Sequence, residues 1–236
     1  MRRYLFLFLL TVSLLWTSCD QRDIHEVIRQ MTEAPVNTQG FSRSDIQTNG
    51  FSAVEVDCFA DVTFHQTKPG GSSHVVLQAP EEVLENVICK VSDNLLQITL
   101  NSRYKMPEKT AIVAHIHAPF VNKFVLNGGK CLRLGQLKLT SPLEIENNGL
   151  ASVSADLLEA CELRIQQNGV GCANLKGIIC TLLVAETEDA GTIRLDGQCQ
   201  QARVTARDNS CIHVTDLHST RPVVEKKTGN GRIINR

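Results

Sequence analysis

Apolar and polar residues follow two rhythms along this chain. Between Phe51 and Gln66, "FSAVEVDCFADVTFHQ" alternates between them, the period-2 pattern of a strand with one buried face. "SHVVLQAP", "ICKVS", "NLLQITLN" and "AIVAHIHAP" continue in the same manner. Turn-formers separate them: Pro69, Gly70 and Gly71 in "KPGGSS", then Ser92–Asp93–Asn94, with Pro119 closing the last strand. "PEEVLENV" interrupts the series. Its Pro80, Glu81 and Glu82 suit the first turn of a helix and predict one or two helical turns.

From Val121 onward the rhythm is longer. "LEIENNG" starting at Leu143 and "LRIQQNG" starting at Leu163 keep Leu, Ile, Asn and Gly in place twenty residues apart, while the polar letters drift. "VLNGGKCLRL", "IENNGLASVS", "IQQNGVGCANL", "AETEDAGTIRL", "ARDNSCIHV" and "EKKTGNGRI" extend the series, each a short strand, a polar turn and a second short strand. A self-similar period of this size predicts stacked repeats. The Asn and Gly residues fit corners that need positive φ. The predicted fold is therefore all-β: a parallel β-helix or β-solenoid of short coils with a period of about twenty residues, preceded by strands and a short helix. Each coil rises by one inter-strand spacing, so six of them make a rod roughly 25–30 Å long. Ile145, Val153, Leu163 and Ile165 belong to its inward aliphatic columns, and the drifting letters to its solvent face.

Composition agrees with an aliphatic core. Hydrophobic residues make up 42% and charged residues 21% of the 236, enough to bury a core. Aromatics are only 5%, and the single Trp lies near the amino terminus. The formal net charge of −1 gives no concentrated basic face, so no nucleic-acid partner is expected. The short basic tail of Lys226, Lys227, Arg232 and Arg236 is better explained as solvated strand ends.

The amino terminus reads as a targeting segment, with Arg2 and Arg3 before the apolar run "YLFLFLLTVSLLW". It ends in "LLWTSC", which resembles a bacterial lipobox, with Thr17 and Ser18 before Cys19; Trp16 departs from the Leu preferred at its place. The resemblance implies a lipoprotein signal peptide over residues 1–18 and lipid on Cys19. Membrane partnership then runs through that lipid, with an exported address at the outer membrane or cell surface, or facing the periplasm. Residues 19–45 form a tether, in which Ile24, Val27, Ile28 and Met31 follow helical spacing before Pro35. Residues 46–236 form one domain, with regular repeats over 121–236.

Eight further cysteines are consistent with a disulfide-permissive compartment, but they do not form a framework. Cys58, Cys89, Cys161 and Cys180 sit in apolar strand-like runs, and Cys131, Cys172 and Cys211 each follow a turn about two repeats apart. Their expected role is that of small buried hydrophobes.

The order "FSAVEVDCFADVTFHQ", "VVLQAP", "NLLQITL", then strand–Asn-Gly–strand repeats, resembles the head GIN domain family, labelled as auto-transporter adhesins. The likeness covers about residues 45–233. It implies an exported or lipid-anchored β-helical protein and carries over no catalytic or binding residue. Asn-Gly in place of the usual Ser-Gly pairs, and the many cysteines, are departures that leave the implied fold intact.

Two constellations bear on chemistry. His115 and His117, two apart on one strand, project to one face and have a spacing that chelates zinc or copper, with His65 or His74 as a third ligand. The same alternation places them opposite Ile112, Ala114 and Ile116 as an ordinary solvated face, which is the preferred reading. Glu144 and Glu146 share a face, with Glu186, Glu188 and Asp189 two coils on. Such carboxylates suit calcium or an acid–base pair, but Arg164 and Arg194 at neighbouring positions point to cross-coil charge pairing instead. Gly169, Gly171 and Gly177 read as corners, and no nucleophile or phosphate-binding motif is present. No cofactor is expected. The expected function is non-enzymatic: a lipid-anchored adhesin or binding module for glycan or protein. The alternatives are a polysaccharide-active β-helix enzyme and an envelope scaffold that forms homo-oligomers through an end of the rod.

Overall fold

The computed structural model describes Thr32 and residues 34–107 and 110–235. The signal peptide, Cys19 and the helical spacing of Ile24–Met31 lie outside these residues. In chain order the elements are β1 (Ser42–Thr48), β2 (Ala53–Asp57), β3 (Ala60–Gln66), β4 (Ser73–Ala79), α1 (Glu81–Leu84), β5 (Val87–Ser92), β6 (Leu95–Leu100), β7 (Ile112–Ala118), β8 (Lys123–Leu126) and β9 (Cys131–Arg133). They continue as β10 (Gln136–Lys138), β11 (Leu143–Asn147), β12 (Ser152–Ala155), β13 (Leu157–Gln167), β14 (Cys172–Thr187), β15 (Thr192–Ala206), β16 (Cys211–Ser219), β17 (Val224–Lys227) and β18 (Arg232–Ile234).

The parallel ladders build a solenoid of about six turns with roughly twenty-residue spacing, as the period predicts. Its first face stacks β6, β2, β8, β11, the carboxy-terminal parts of β13, β14 and β15, and then β17. The second face stacks β7, β3, β9, β12, the starts of β14 and β15, then β16 and β18. A third face joins β10 to the start of β13, the middles of β14 and β15 and the end of β16.

The inward letters form columns as expected. Ile145, Ile165, Ala185 and Val204 stand in register on the first face, and Leu132, Val153, Ala173, Ile193, Ile212 and Ile233 on the second; all are buried. Near the amino-terminal end Phe64 packs edge-on against Phe124 at 5.2 Å inside the core.

That end has a cap and a change of order. β4 runs antiparallel to β7 with β1 antiparallel beyond it, and β5 is antiparallel to β6. The β5–β6 hairpin turns on Asp93 and Asn94, both at positive φ, as a two-residue turn between twisted strands requires. α1 follows Pro80 directly, with Glu81 and Glu82 in its first turn. The coil formed by β2 and β3 lies between the β6–β7 level and the β8–β9 level, so the first coil in sequence is not the first in the stack.

The corner between the first and second faces explains the Asn-Gly phrases. Asn147, Gln167 and Thr187 stack inside it, fully or almost fully buried. Asn147 Nδ2 donates to the Ala151 carbonyl (2.6 Å) and to Gln167 Oε1 (2.7 Å), and Thr187 Oγ1 donates to the Gln167 carbonyl (3.1 Å). The backbone runs so close here that a Cβ on Gly171 would lie 2.4 Å from the Ala151 carbonyl oxygen. Outside the corner Asn168 donates to Asn148 (2.9 Å) and Asn148 to Asn127 (3.0 Å), an amide ladder climbing coil by coil.

Cys58, Cys89, Cys131, Cys161, Cys180, Cys199 and Cys211 carry free thiols. Cys58 corrects one expectation: it lies in the bend between β2 and β3, not within a strand. Cys161 corrects another, being exposed where the strand passes from the third face to the first. Cys131, Cys172 and Cys211 share one row of the second face, alternating with Ser152 and Thr192.

Candidate functional site

On the second face, alternation buries Phe64, Ile116 and Val75 and turns His65, His117 and His74 outward. Register does the rest. His65 on β3 stands beside His117 on β7, and His117 beside His74 on β4. Three of the protein's seven histidines thus form one row across the sheet, and His115 lies two residues along β7.

The rings stack. His74 and His117 have centroids 4.4 Å apart with planes 4° from parallel, and His117 and His65 are 4.5 Å and 14° apart. His65 Nε2 also meets His115 Nδ1 at 3.3 Å, an N–H···N contact in which one ring donates and the other accepts. Partial desolvation beside the neighbouring rings makes the His65 ring hold its proton less readily than free histidine, and the positive charge His115 would carry adds to this. Burial does the same at His117, followed by the charges of His65, His74 and His115. His65 and His117 therefore favour their neutral forms. Among the described residues, no three or more His, Cys, Asp or Glu converge on a metal position as their side chains stand.

Beside His65 an open cleft of about 520 Å³ runs over the corner between the second and third faces. Gln66, Arg133, Gln136, Ser154 and Asp156 line it. Gln66 fixes its wall by donating to the Lys138 carbonyl (2.9 Å) and accepting from the Lys138 amide (2.9 Å). Deeper in the same face lies Asp61. Burial would raise its pKa, but hydrogen bonds from Arg133 and Cys131 and the charges of Arg133 and Lys130 hold it below the usual carboxylate range. Buried Lys130 lies 3.6 Å from Asp61 and donates to the Thr32 carbonyl at 2.9 Å and to the Ala34 carbonyl. The chain before β1 is thereby tied onto the second face.

The acidic residues do not form a site of this kind. Glu144 and Glu146 both reach Lys123, at 3.2 Å and 2.8 Å. Glu186 pairs with Arg207 at 2.9 Å, two levels from Glu146 with Gln166 between. Glu188 sits past the end of β14, on the corner. Cross-coil pairing thus occurs, with partners other than those the spacing suggested. Arg164 is opposite Glu144 but bonds Glu162 at 2.6 Å, and Arg194 lies on the second face between Asn174 and His213. Alternation gave the His115–His117 pair; it could not give His65 and His74 their places, because those depend on pairing with a strand about fifty residues away.

The fold is thus a β-solenoid with outward polar faces and, at its capped end, a histidine cluster beside a shallow cleft. The chain belongs to the family described as "putative auto-transporter adhesin, head GIN domain", whose model matches residues 50–235. Solved structures share the fold. A putative adhesin from Bacteroides fragilis is 19% identical, with 83% of this chain and 97% of that chain covered at a TM-score of 0.63. A putative lipid binding protein from Parabacteroides distasonis is 13% identical, covering 82% and 96% at 0.60. Among curated proteins, none matches this chain.

Proposed function

We propose that this chain is a non-enzymatic adhesin of the cell envelope, anchored through lipid on Cys19, that binds an extracellular glycan or protein along the flank of its solenoid. The observation that carries the reading is the outward second face, where in-register strands present polar side chains once per coil beside the cleft at His65 and Gln136. A repeating polar surface suits extended, polymeric ligands. Family membership supports the adhesive role and the exported, surface address.

The polysaccharide-active alternative needs two carboxylates facing one bond at a set separation. Glu144, Glu146 and Glu186 are instead engaged by Lys123 and Arg207, which favours the non-enzymatic reading. Glu144→Gln with Glu188→Gln is expected to leave ligand binding and stability unchanged; loss of a polysaccharide-cleaving activity in that variant would reinstate the enzyme.

The main test presents the protein to an array of glycans and matrix proteins. Saturable binding that Gln136→Arg or Ser154→Arg abolishes supports the flank as the binding surface. Uniform silence would leave the envelope scaffold as the better function. Protease shaving of intact cells, with Cys19→Ala for comparison, tests the address: cleavage of the wild type from outside and release of the variant is the expected pair of results.

A further inference from the structure

We propose that the four-histidine cluster on β3, β4 and β7 is a binding site for a divalent first-row transition metal, with His65 Nε2 and His115 Nδ1 as its preformed pair of ligands. These nitrogens are 3.3 Å apart. Two nitrogens each about 2.0–2.1 Å from a tetrahedral zinc ion are separated by roughly the same distance. The two rings are stacked with planes 25° from parallel, so each turns about its own side-chain bonds to aim its lone pair at the ion. Imidazole nitrogen is the ligand type that suits zinc, copper and nickel.

The exchange is chemically balanced. In the metal-free contact one ring holds a proton on the facing nitrogen and the other offers a lone pair. On binding, the donor ring shifts that proton to its other nitrogen through solvent, both facing lone pairs go to the metal, and two neutral rings lose no net proton. The depth of the side chains allows this, since His65 is exposed and His115 half-buried.

His117 supplies a third ligand. It shares β7 with His115, two residues apart on the same face, and its ring lies 4.5 Å from that of His65. Its ring is stacked between those of His65 and His74, so binding requires it to turn out of the stack toward the ion. His74, on the far side of His117 at 4.4 Å, is a positioning residue that packs that ring and is not required as a ligand. The charged groups bordering the cluster are Asp45 on β1, whose carboxylate feels His74, its partner Arg43, and Arg133 at the cleft beside His65. Three protein ligands leave an open position toward solvent, the arrangement of a site that can accept a further donor.

The test is calorimetric titration of the tag-free full chain with zinc chloride at pH 7.5, followed by thermal melting with and without the ion. One equivalent is expected to bind saturably and raise the melting temperature. His65→Gln and His115→Gln each abolish this binding, His117→Gln weakens it at least tenfold, and His74→Gln and the remote His213→Gln retain it. Binding should fade as the pH falls below 6.5 and the rings protonate. These residues are outward-facing, so circular dichroism is expected to show each variant folded. The proposal is overturned if wild type shows no saturable zinc binding, or if either His65→Gln or His115→Gln keeps one-equivalent binding. Unchanged affinity in His117→Gln would remove the third ligand.

Discussion

Single residues set how this protein responds to acid. His65 and His117 hold protons less readily than free histidine, whose ordinary pKa is 6.5. The unfolded chain therefore binds more protons than the folded one in this range, and stability falls as pH falls. The contribution of the neutral stack is complete above about pH 6.5 and is lost as pH drops through the lowered folded values. Melting temperatures recorded from pH 7.5 to 5 should decline, and His65→Gln with His117→Gln should flatten that slope. Lys130 carries a second consequence. It and Asp61 are buried together; Asp61 keeps Arg133 as a partner when Lys130 is truncated, so the loss is that of buried polar groups left without their donor, about 1–3 kcal/mol. Lys130→Ala is thus expected to lower the midpoint of denaturant unfolding and to speed proteolysis around residues 32–40, because the Thr32 and Ala34 carbonyls lose their donor. The sequence made part of this site legible. His115 and His117 shared a face because strands alternate, but nothing local placed His65 and His74 beside them. Their row exists because Phe64, Ile116 and Val75 align in the core, and core alignment between distant strands leaves no mark in either strand alone.

At the scale of elements, the twenty-residue phrase was legible because two constraints recur together: an inward aliphatic column and a corner too tight for most side chains. Gly171 tests the second. An alanine methyl there would collide with the Ala151 carbonyl and crowd the Asn147 amide, and such overpacking costs about 1–3 kcal/mol. Gly171→Ala should lower the unfolding midpoint accordingly, whereas alanine at Gly50, which has open space around it, should have little effect. The third face was not legible. Each pass contributes only one or two inward apolar residues, such as Leu158, Ile178 and Leu217, too few to show a period. β13, β14 and β15 also run on through the corner into the first face without a turn signal. The placement of the β2–β3 coil between later ones was equally hidden, since alternation specifies which side of a strand is buried and not which strand lies next to it.

The whole molecule has two unlike ends. The amino-terminal end is closed by antiparallel β1, β4 and β5. At the other end β17 and β18 each pair on one side only among the described residues, and an unpaired edge invites association. Lys226, Lys227 and Arg232 stand on those last strands, with Glu225 paired to Lys227, and charged side chains, lysine above all, are a usual means of keeping such an edge single. Lys226→Val with Lys227→Val should produce concentration-dependent association in sedimentation velocity, while wild type stays monomeric; association of the wild type itself would favour the scaffold function.

The interleaved order of the first coils matters once the protein is pulled. If one end of the chain is held by an anchor before β1 and the flank grips a ligand, tension meets first the bonds from Lys130 to the Thr32 and Ala34 carbonyls and, once these part, β1 at Ser42. Among the described residues β1 pairs with β4 and with no other strand, so it can peel away. The next strand, β2, is gripped on both sides, by β6 and by β8, and β3 likewise by β7 and β9. To go further, the load must slide a strand lengthwise between two neighbours, breaking both ladders together instead of one bond at a time. The swap of coil order thus acts as a mechanical stop, letting the first strand yield and the rod behind it hold.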